Sequence, residues 1–253
     1  MASNTVYLIT GANRGIGHGI VASYLQKPNN TVIATVRDAT NTALTNDLSS
    51  LPTGESSKLI ILGLEATHES EYSELFHKIT SEHEIDHIDV VVANAGINYD
   101  LDPVATTSIA KMKEYMEVNA YGPLLLFQAT LPLLEKSATP KFVGMGSLIS
   151  SLGNLERCPI PMTPYATSKI VVHWLSRKIH FEHSNIISFV VDPGPSFVQS
   201  DLGNKNAAKL GMGEAPTTIV DAVNFITTTI DGATKTETSG HFPTIEGGDM
   251  LWL

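Results

Sequence analysis

Short apolar runs rich in β-branched residues alternate along this chain with stretches of helical periodicity. The runs 6–10, 31–36, 59–64, 88–93, 142–145, 186–191 and 242–245 read as strands. The first six are continuous or nearly continuous apolar runs, the pattern of a parallel sheet covered on both faces. Helical patterns fill 15–26, 69–82, 108–135, 165–181 and 217–230; in the last, Ile219, Val223, Ile226 and Ile230 form one stripe. This alternation predicts an α/β fold: a single doubly wound parallel sheet of about seven strands, with helices on both faces. No internal repeat, low-complexity tract or linker interrupts the pattern, so one domain is expected over 1–253. Two segments, 152–164 and 196–216, lack a clear period. Both follow strands, which places them at the carboxyl edge of the sheet, where open α/β folds bind ligands. The second reads as a substrate lid.

Composition narrows the partners. The 253 residues suit one α/β domain, and 42% apolar content is enough to fill it. A formal net charge of −10 argues against nucleic acid or an anionic membrane surface as partner. The single cysteine, Cys158, cannot form an internal disulfide, which fits a reducing, cytoplasmic location. It reads as a loop thiol with no activating partner. No basic leader and no long apolar run point to secretion or membrane spanning. His68, His77, His83 and His87 share no ligand spacing with Cys or Asp, so they read as solvated and no metal is expected. Trp174 reads as core, and Met112, Met116 and 124–127 as core or subunit interface.

The first strand runs into Thr10-Gly11-Ala12-Asn13-Arg14-Gly15-Ile16-Gly17, and a helical pattern follows at once. Glycines permit a tight turn and close approach of a pyrophosphate; the helix start adds free N–H groups and partial positive charge. In this strand–turn–helix context, Gly11, Arg14, Gly15, Ile16 and Gly17 are candidate dinucleotide-binding residues. About 20 residues beyond such a turn, an acidic side chain holds the ribose of NAD, whereas an Arg accommodates the 2′-phosphate of NADP. Here the second strand ends Val36-Arg37-Asp38. Arg37 together with Arg14 predicts NADP(H). An inward-pointing Asp38 would instead select NAD.

Tyr165 and Lys169 stand four apart near the start of a helical pattern, which puts them on one face. A phenol with a pKa near ~10 is a poor acid/base at neutral pH, and a nearby ammonium favours its ionised form. The pair therefore suits proton transfer at a carbonyl oxygen, with Tyr165 as the acid/base.

Along the chain stand, in order, the Gly11–Gly17 turn, Asn94-Ala95-Gly96, Val118-Asn119-Ala120, a serine ahead of the tyrosine, Tyr165-x-x-x-Lys169 and Pro193-Gly194. This set resembles the short-chain dehydrogenase/reductase family over nearly the whole chain. Gly153-Asn154-Leu155-Glu156, Met162-Thr163-Pro164-Tyr165 and Val198-Gln199-Ser200-Asp201-Leu202-Gly203-Asn204 resemble its fungal branch of norsolorinic acid ketoreductase-like enzymes and the small carbonyl reductases near it. The resemblance implies a Rossmann-type fold and NADPH-dependent reduction of a ketone. It implies that Tyr165 protonates the carbonyl oxygen, that Lys169 holds the nicotinamide ribose and lowers the pKa of Tyr165, and that Asn119 anchors a water linking Lys169 to solvent. Asn94 and Gly96 would line the adenosine side, Glu65 would contact adenine, and Pro193, Gly194, Val198 and Ser200 would lie by the nicotinamide. Ser147 is the candidate for binding the substrate oxygen, with Ser150 and Ser151 as alternatives. Possible homo-oligomers through helices such as 108–135 and 165–181 are a further implication.

Three positions depart from the family's pattern. Gly146-Ser147-Leu148-Ile149-Ser150 lacks the glycine of Ser-Ser-x-x-Gly, which bears on how Ser147 is aimed. Val198 and Ser200 reach register only if Pro195-Ser196 bulges, and Glu65 replaces an Asp. For the substrate, Leu155, Ile160, Met162, Leu210 and Met212 would floor an apolar pocket suited to a bulky ketone, such as a polyketide-like intermediate of fungal secondary metabolism. Two other readings use the same cleft: a NADP-binding scaffold, or a non-redox isomerase or cyclase. Against a pure binding module stands the Ser147, Tyr165, Lys169 and Asn119 set, because binding alone has no need of a phenol beside an ammonium.

Overall fold

A computed structural model describes residues 4–250; the leader reading at 1–3 and the end of the expected domain at 251–253 lie outside the described residues. The strands are β1 (Thr5–Thr10), β2 (Asn30–Val36), β3 (Lys58–Gly63), β4 (Val90–Ala93), β5 (Lys141–Met145) and β6 (Ile187–Val191). All pair in parallel, in the order β3-β2-β1-β4-β5-β6. The helices are α1 (Gly15–Leu25), α2 (Thr42–Ser49), α3 (Glu69–His77), α4 (Ile109–Met116), α5 (Gly122–Leu134), α6 (Thr163–Glu182), α7 (Asp201–Lys209) and α8 (Ile219–Gly232).

The two-residue period of a strand explains why both alternations are apolar. Tyr7 and Ile9 face α1 and α8, joining Ile20, Tyr24, Val223 and Ile226. Val6 and Leu8 face the other way, with Leu75 of α3, Leu126 of α5 and Ile179 of α6. Each fully buried aliphatic side chain contributes roughly 1.5–3 kcal/mol, so covering both faces is the main driving force for this architecture.

Several expectations need correction. The run 242–245 builds no ladder: Thr244 makes one bridge to Asp192. Pro243 has no N–H to donate, and a turn at Gly247 and Gly248, with φ of 91° and 74°, ends the run. The expected helix 108–135 divides between α4 and α5 at a π-helical turn over Glu117–Tyr121, where the Gly122 N–H reaches back to the Glu117 carbonyl. Pro123 follows and has no N–H for the Asn119 carbonyl. Segment 196–216, expected to be a lid without a clear period, contains α7, capped by the Ser200 hydroxyl, which accepts the Gly203 N–H at 3.1 Å. A Cβ at Gly203 would lie 1.9 Å from the Val198 carbonyl oxygen, so a residue that reads as a helix breaker is there for close approach. Trp174 is not core: it is 60% exposed on the outer side of α6, whose inner face carries Val172, His173, Ser176 and Ile179. Among the described residues, no helix is long and apolar enough to cross a membrane.

Candidate active site

β1 feeds α1 on one face of the sheet and β4 feeds α4 and α5 on the other, so their carboxyl ends part and leave a crevice. A cleft of about 380 Å³ opens there. Gly11 and Gly15 take φ of 64° and 59°, the left-handed region open to glycine. A Cβ at Gly17 would fall 2.4 Å from the Gly11 carbonyl oxygen and 2.5 Å from Asn94 Nδ2. Asn94 Nδ2 donates to the Thr10 and Gly11 carbonyls at 2.8 and 3.2 Å, tying the turn to β4. The first turn of α1 has no side-chain cap, which leaves its N–H groups for a ligand. A bare backbone cradle ahead of an uncapped helix fits the pyrophosphate of a dinucleotide.

At the outer end of the cleft, Arg14 Nη1 lies 3.2 Å from Asp201 and Arg37 Nε 3.3 Å from Glu65. Both arginines line the cleft with Glu65; Asp38 does not. Its Oδ1 accepts the Thr40 N–H at 2.9 Å and the Thr40 hydroxyl at 2.7 Å, which also holds its pKa below the usual carboxylate range. Of the other expected cofactor residues, Ile16, Gly96, Pro193 and Ser200 line the same cleft. Val198 lines only the neighbouring cavity. Gly194 lines neither; a Cβ there would meet Thr217 Oγ1 at 2.6 Å, so the glycine serves packing.

Tyr165 stands where the cleft meets a second cavity of about 120 Å³ and lines both. Burial pushes its phenol up to about 12; the nearby Ser147 hydroxyl opposes the shift and Asp192 adds to it. Lys169 is buried, with Nζ 3.0 Å from the Met145 carbonyl and 5.8 Å from the centre of the Tyr165 ring. Burial lowers its pKa to about 8. In this arrangement burial, not the ammonium, sets the phenol's value, and Tyr165 stays protonated at neutral pH. Asn119, in the π-helical turn, is fully buried and lines neither cavity. Its Oδ1 accepts the Ile97 N–H at 2.8 Å while Nδ2 donates to the Ile97 carbonyl at 2.9 Å and Ser168 Oγ at 3.0 Å. It braces the segment after β4 against α6.

Of the three candidate serines, Ser147 lines the second cavity beside Tyr165, whereas Ser150 and Ser151 are buried away from it. The rest of that cavity is largely apolar, with Ile149, Ile160, Met162 and Phe197 among its walls. Leu155 and Met212, expected in the pocket, are exposed instead, and Leu210 packs behind Phe197 and Ala207. Cys158 lines the cavity, and burial first, then Asp192, raise its thiol pKa, which suits an unreactive thiol. Two buried groups escaped the sequence reading. Asp192, at the end of β6, lines the second cavity and is pushed up to about 7 by burial. His173 lies on α6 behind Ser147, and burial, followed by Lys169, pushes it down to about 3. An acid ending an otherwise apolar strand and a histidine on the Tyr165–Lys169 face were the available signals. Among the described residues, no group of three or more His, Cys, Asp or Glu is gathered as a metal site.

Known proteins resemble this chain in sequence and in fold. The norsolorinic acid ketoreductase nor1 of Dothistroma septosporum is 44% identical over 253 residues, covering 99% of this chain and 93% of its own. The norsolorinic acid ketoreductase stcE of Emericella nidulans is 41% identical, covering 98% of this chain and 94% of its own. The crystal structure of NADPH-bound carbonyl reductase from chicken fatty liver superposes with a TM-score of 0.84 at 25% identity, covering 99% of this chain and all of that one. The sequence profile of the short chain dehydrogenases matches residues 5–210, the span that carries the glycine turn, the serine loop and the tyrosine–lysine pair. The chain belongs to the short chain dehydrogenase family, as an oxidoreductase acting on carbonyl and alcohol groups.

Proposed function

We propose that this protein is an NADPH-dependent ketoreductase that reduces the carbonyl of a bulky, mostly apolar ketone, as its relatives named for norsolorinic acid suggest. The observation that carries this reading is a phenol beside a serine hydroxyl, where the cleft of the glycine turn meets a largely apolar cavity. When bound, NADPH supplies the hydride.

The chain's own groups do the rest. Tyr165 gives its proton to the substrate oxygen and becomes a phenolate; an acid held in place contributes roughly 10²–10⁴-fold in rate. Ser147 donates a hydrogen bond to the same oxygen as it gains charge. Lys169, buried next to the phenol, stabilises the phenolate and holds the nicotinamide ribose. Asn119 keeps the segment after β4 and α6 in register around it. The Gly11–Gly17 turn would hold the pyrophosphate, Glu65 the adenine, and Arg14 and Arg37 the 2′-phosphate. NADPH over NADH is favoured because Arg37 faces the cleft while Asp38 is turned to Thr40. Segment 196–216, with α7, would cover the substrate.

The test is to mix the protein with NADPH and aromatic or aliphatic ketones and follow cofactor absorbance. Ketone-dependent oxidation of NADPH is expected. Tight binding without turnover across the panel would support a scaffold. Product formation without any absorbance change would support an isomerase or cyclase.

A further inference from the structure

The loop before Tyr165 lacks the family's glycine, and Ser147 itself has extended backbone angles, φ −162° and ψ 137°, that any residue adopts. The backbone on either side is held by the Ser150 N–H on the Ser147 carbonyl at 3.0 Å and the Gly146 N–H on the Val191 carbonyl at 2.8 Å. Two buried side chains from other elements also approach this loop. His173 follows Tyr165 by eight residues and Lys169 by four, so all three share one face of α6. The imidazole is 4% exposed, and its Nε2 accepts the Ser147 N–H at 3.2 Å. Accepting there requires a neutral ring with its proton on Nδ1. The ring packs edge-on against Phe242, with centroids 4.5 Å apart at 63°. The loop rests directly on this pair: a Cβ at Gly146 would lie 2.6 Å from Phe242 and 3.1 Å from His173 Nε2. The Asp192 carboxyl accepts from the N–H groups of Leu148 and Gly194.

We propose that His173 is a positioning residue that sets Ser147 against Tyr165, with Asp192 as second anchor of the same loop. This inference rests on the reading of Ser147 as the group that binds the substrate oxygen. His173 touches neither substrate nor cofactor and acts through the serine. Its loss lets the hydroxyl drift, and misplacement of a reacting group by about 1 Å costs on the order of 10²-fold in rate.

A double-mutant cycle tests it, using kcat and KM for ketone reduction, NADPH affinity by fluorescence titration, and Tm. His173→Phe keeps an aromatic ring against Phe242 but removes the acceptor. It is expected to lower kcat by about ten- to a hundredfold with NADPH affinity unchanged. His173→Gln, whose amide oxygen reaches the place of Nε2, should recover most of the loss. Adding His173→Phe to Ser147→Ala should cost almost nothing further, because the group being positioned is gone. An equal loss in both backgrounds would make His173 a packing residue and overturn the proposal. Ser147→Ala with unimpaired turnover would overturn the reading of Ser147 itself, which is a separate result. Should His173→Phe fold poorly, nitrogen-15 NMR of the histidine rings in the wild-type protein decides, with the His173 signal assigned by its loss in His173→Gln. A neutral ring protonated on Nδ1 near pH 7 is expected; a ring protonated on Nε2 cannot accept the bond and overturns the proposal.

Discussion

The two ends of the cleft hold their charges in opposite ways. At the cofactor end, the Arg14 and Arg37 side chains are 62% and 71% exposed and pair with carboxylates at 3.2 and 3.3 Å. At the catalytic end, Lys169, His173 and Asp192 are each 4% exposed, and burial is the largest influence on their titration. An exposed ion pair contributes roughly 0–1 kcal/mol and weakens with salt, so each arginine can exchange a carboxylate for a phosphate at small cost. The buried groups have no solvent to absorb a change. Removing one disturbs the protonation or the position of the next. On the function proposed, recognition at one end is graded and salt-sensitive, while chemistry at the other depends on every member being in place.

The sharpest way to break this contrast is Tyr165→Phe. Turnover should fall roughly 10²–10⁴-fold while NADPH affinity changes little; a variant near wild-type turnover would remove Tyr165 from its role. Ser147→Ala comes next. Losing one donor to the developing oxyanion costs about 10²–10³-fold in kcat, and Ser150→Ala or Ser151→Ala should cost less. A reversed order would mean that the loop is in a different register.

At the cofactor end the effects are smaller and depend on salt. A hydrogen bond to a charged group contributes roughly 1.5–3 kcal/mol, so Arg37→Ala should reduce the preference for NADPH over NADH about ten- to a hundredfold. Added salt should erode the same preference in the unmodified protein. Asp38→Ala should leave both affinities nearly unchanged. Tighter binding of NADH than NADPH by the unmodified protein would overturn the assignment.

The remaining effects are on stability, and the pH sets their size. Burial, followed by Lys169, moves the His173 pKa from about 6.5 in the unfolded chain down to about 3 in the folded one. Between those values the unfolded chain holds a proton that the folded chain lacks, so stability falls as the pH is lowered, by about 1.4 kcal/mol per pH unit from this group. Above that window the ring is neutral in both states and contributes nothing. Asp192 acts with the opposite sign. Its folded value of about 7 lies above that of an ordinary carboxyl, so stability falls as pH rises toward 7. Denaturant midpoints measured against pH should show His173→Gln flattening the acid limb below about 6.5, and Asp192→Asn flattening the rise-dependent loss up to about 7.

Relations within one element were legible in the residues alone. Strands, sheet type and the Gly11–Gly17 turn follow from spacing along the chain, and Tyr165 and Lys169 share a face because one helix turn separates them. Short-range polar detail was not legible. Arg37 and Asp38 are neighbours, and which one faces the cleft turns on a hydrogen bond from Thr40 to Asp38. α7 was hidden because its polar sequence and Gly203 carry no periodic signal, although the fold needs that glycine against Val198.

What the sequence by itself determined is therefore the parallel sheet, the dinucleotide turn and the tyrosine–lysine pair, all set by local periodicity and backbone sterics. Only the tertiary structure decided how Ser147 is aimed, which groups are buried and where their protons sit. Ser147, His173 and Asp192 come from a loop, a helix and a strand end, and Phe242 supports them from a segment far along the chain. Their contacts, and the desolvation that moves their pKa values, exist only once those elements have packed.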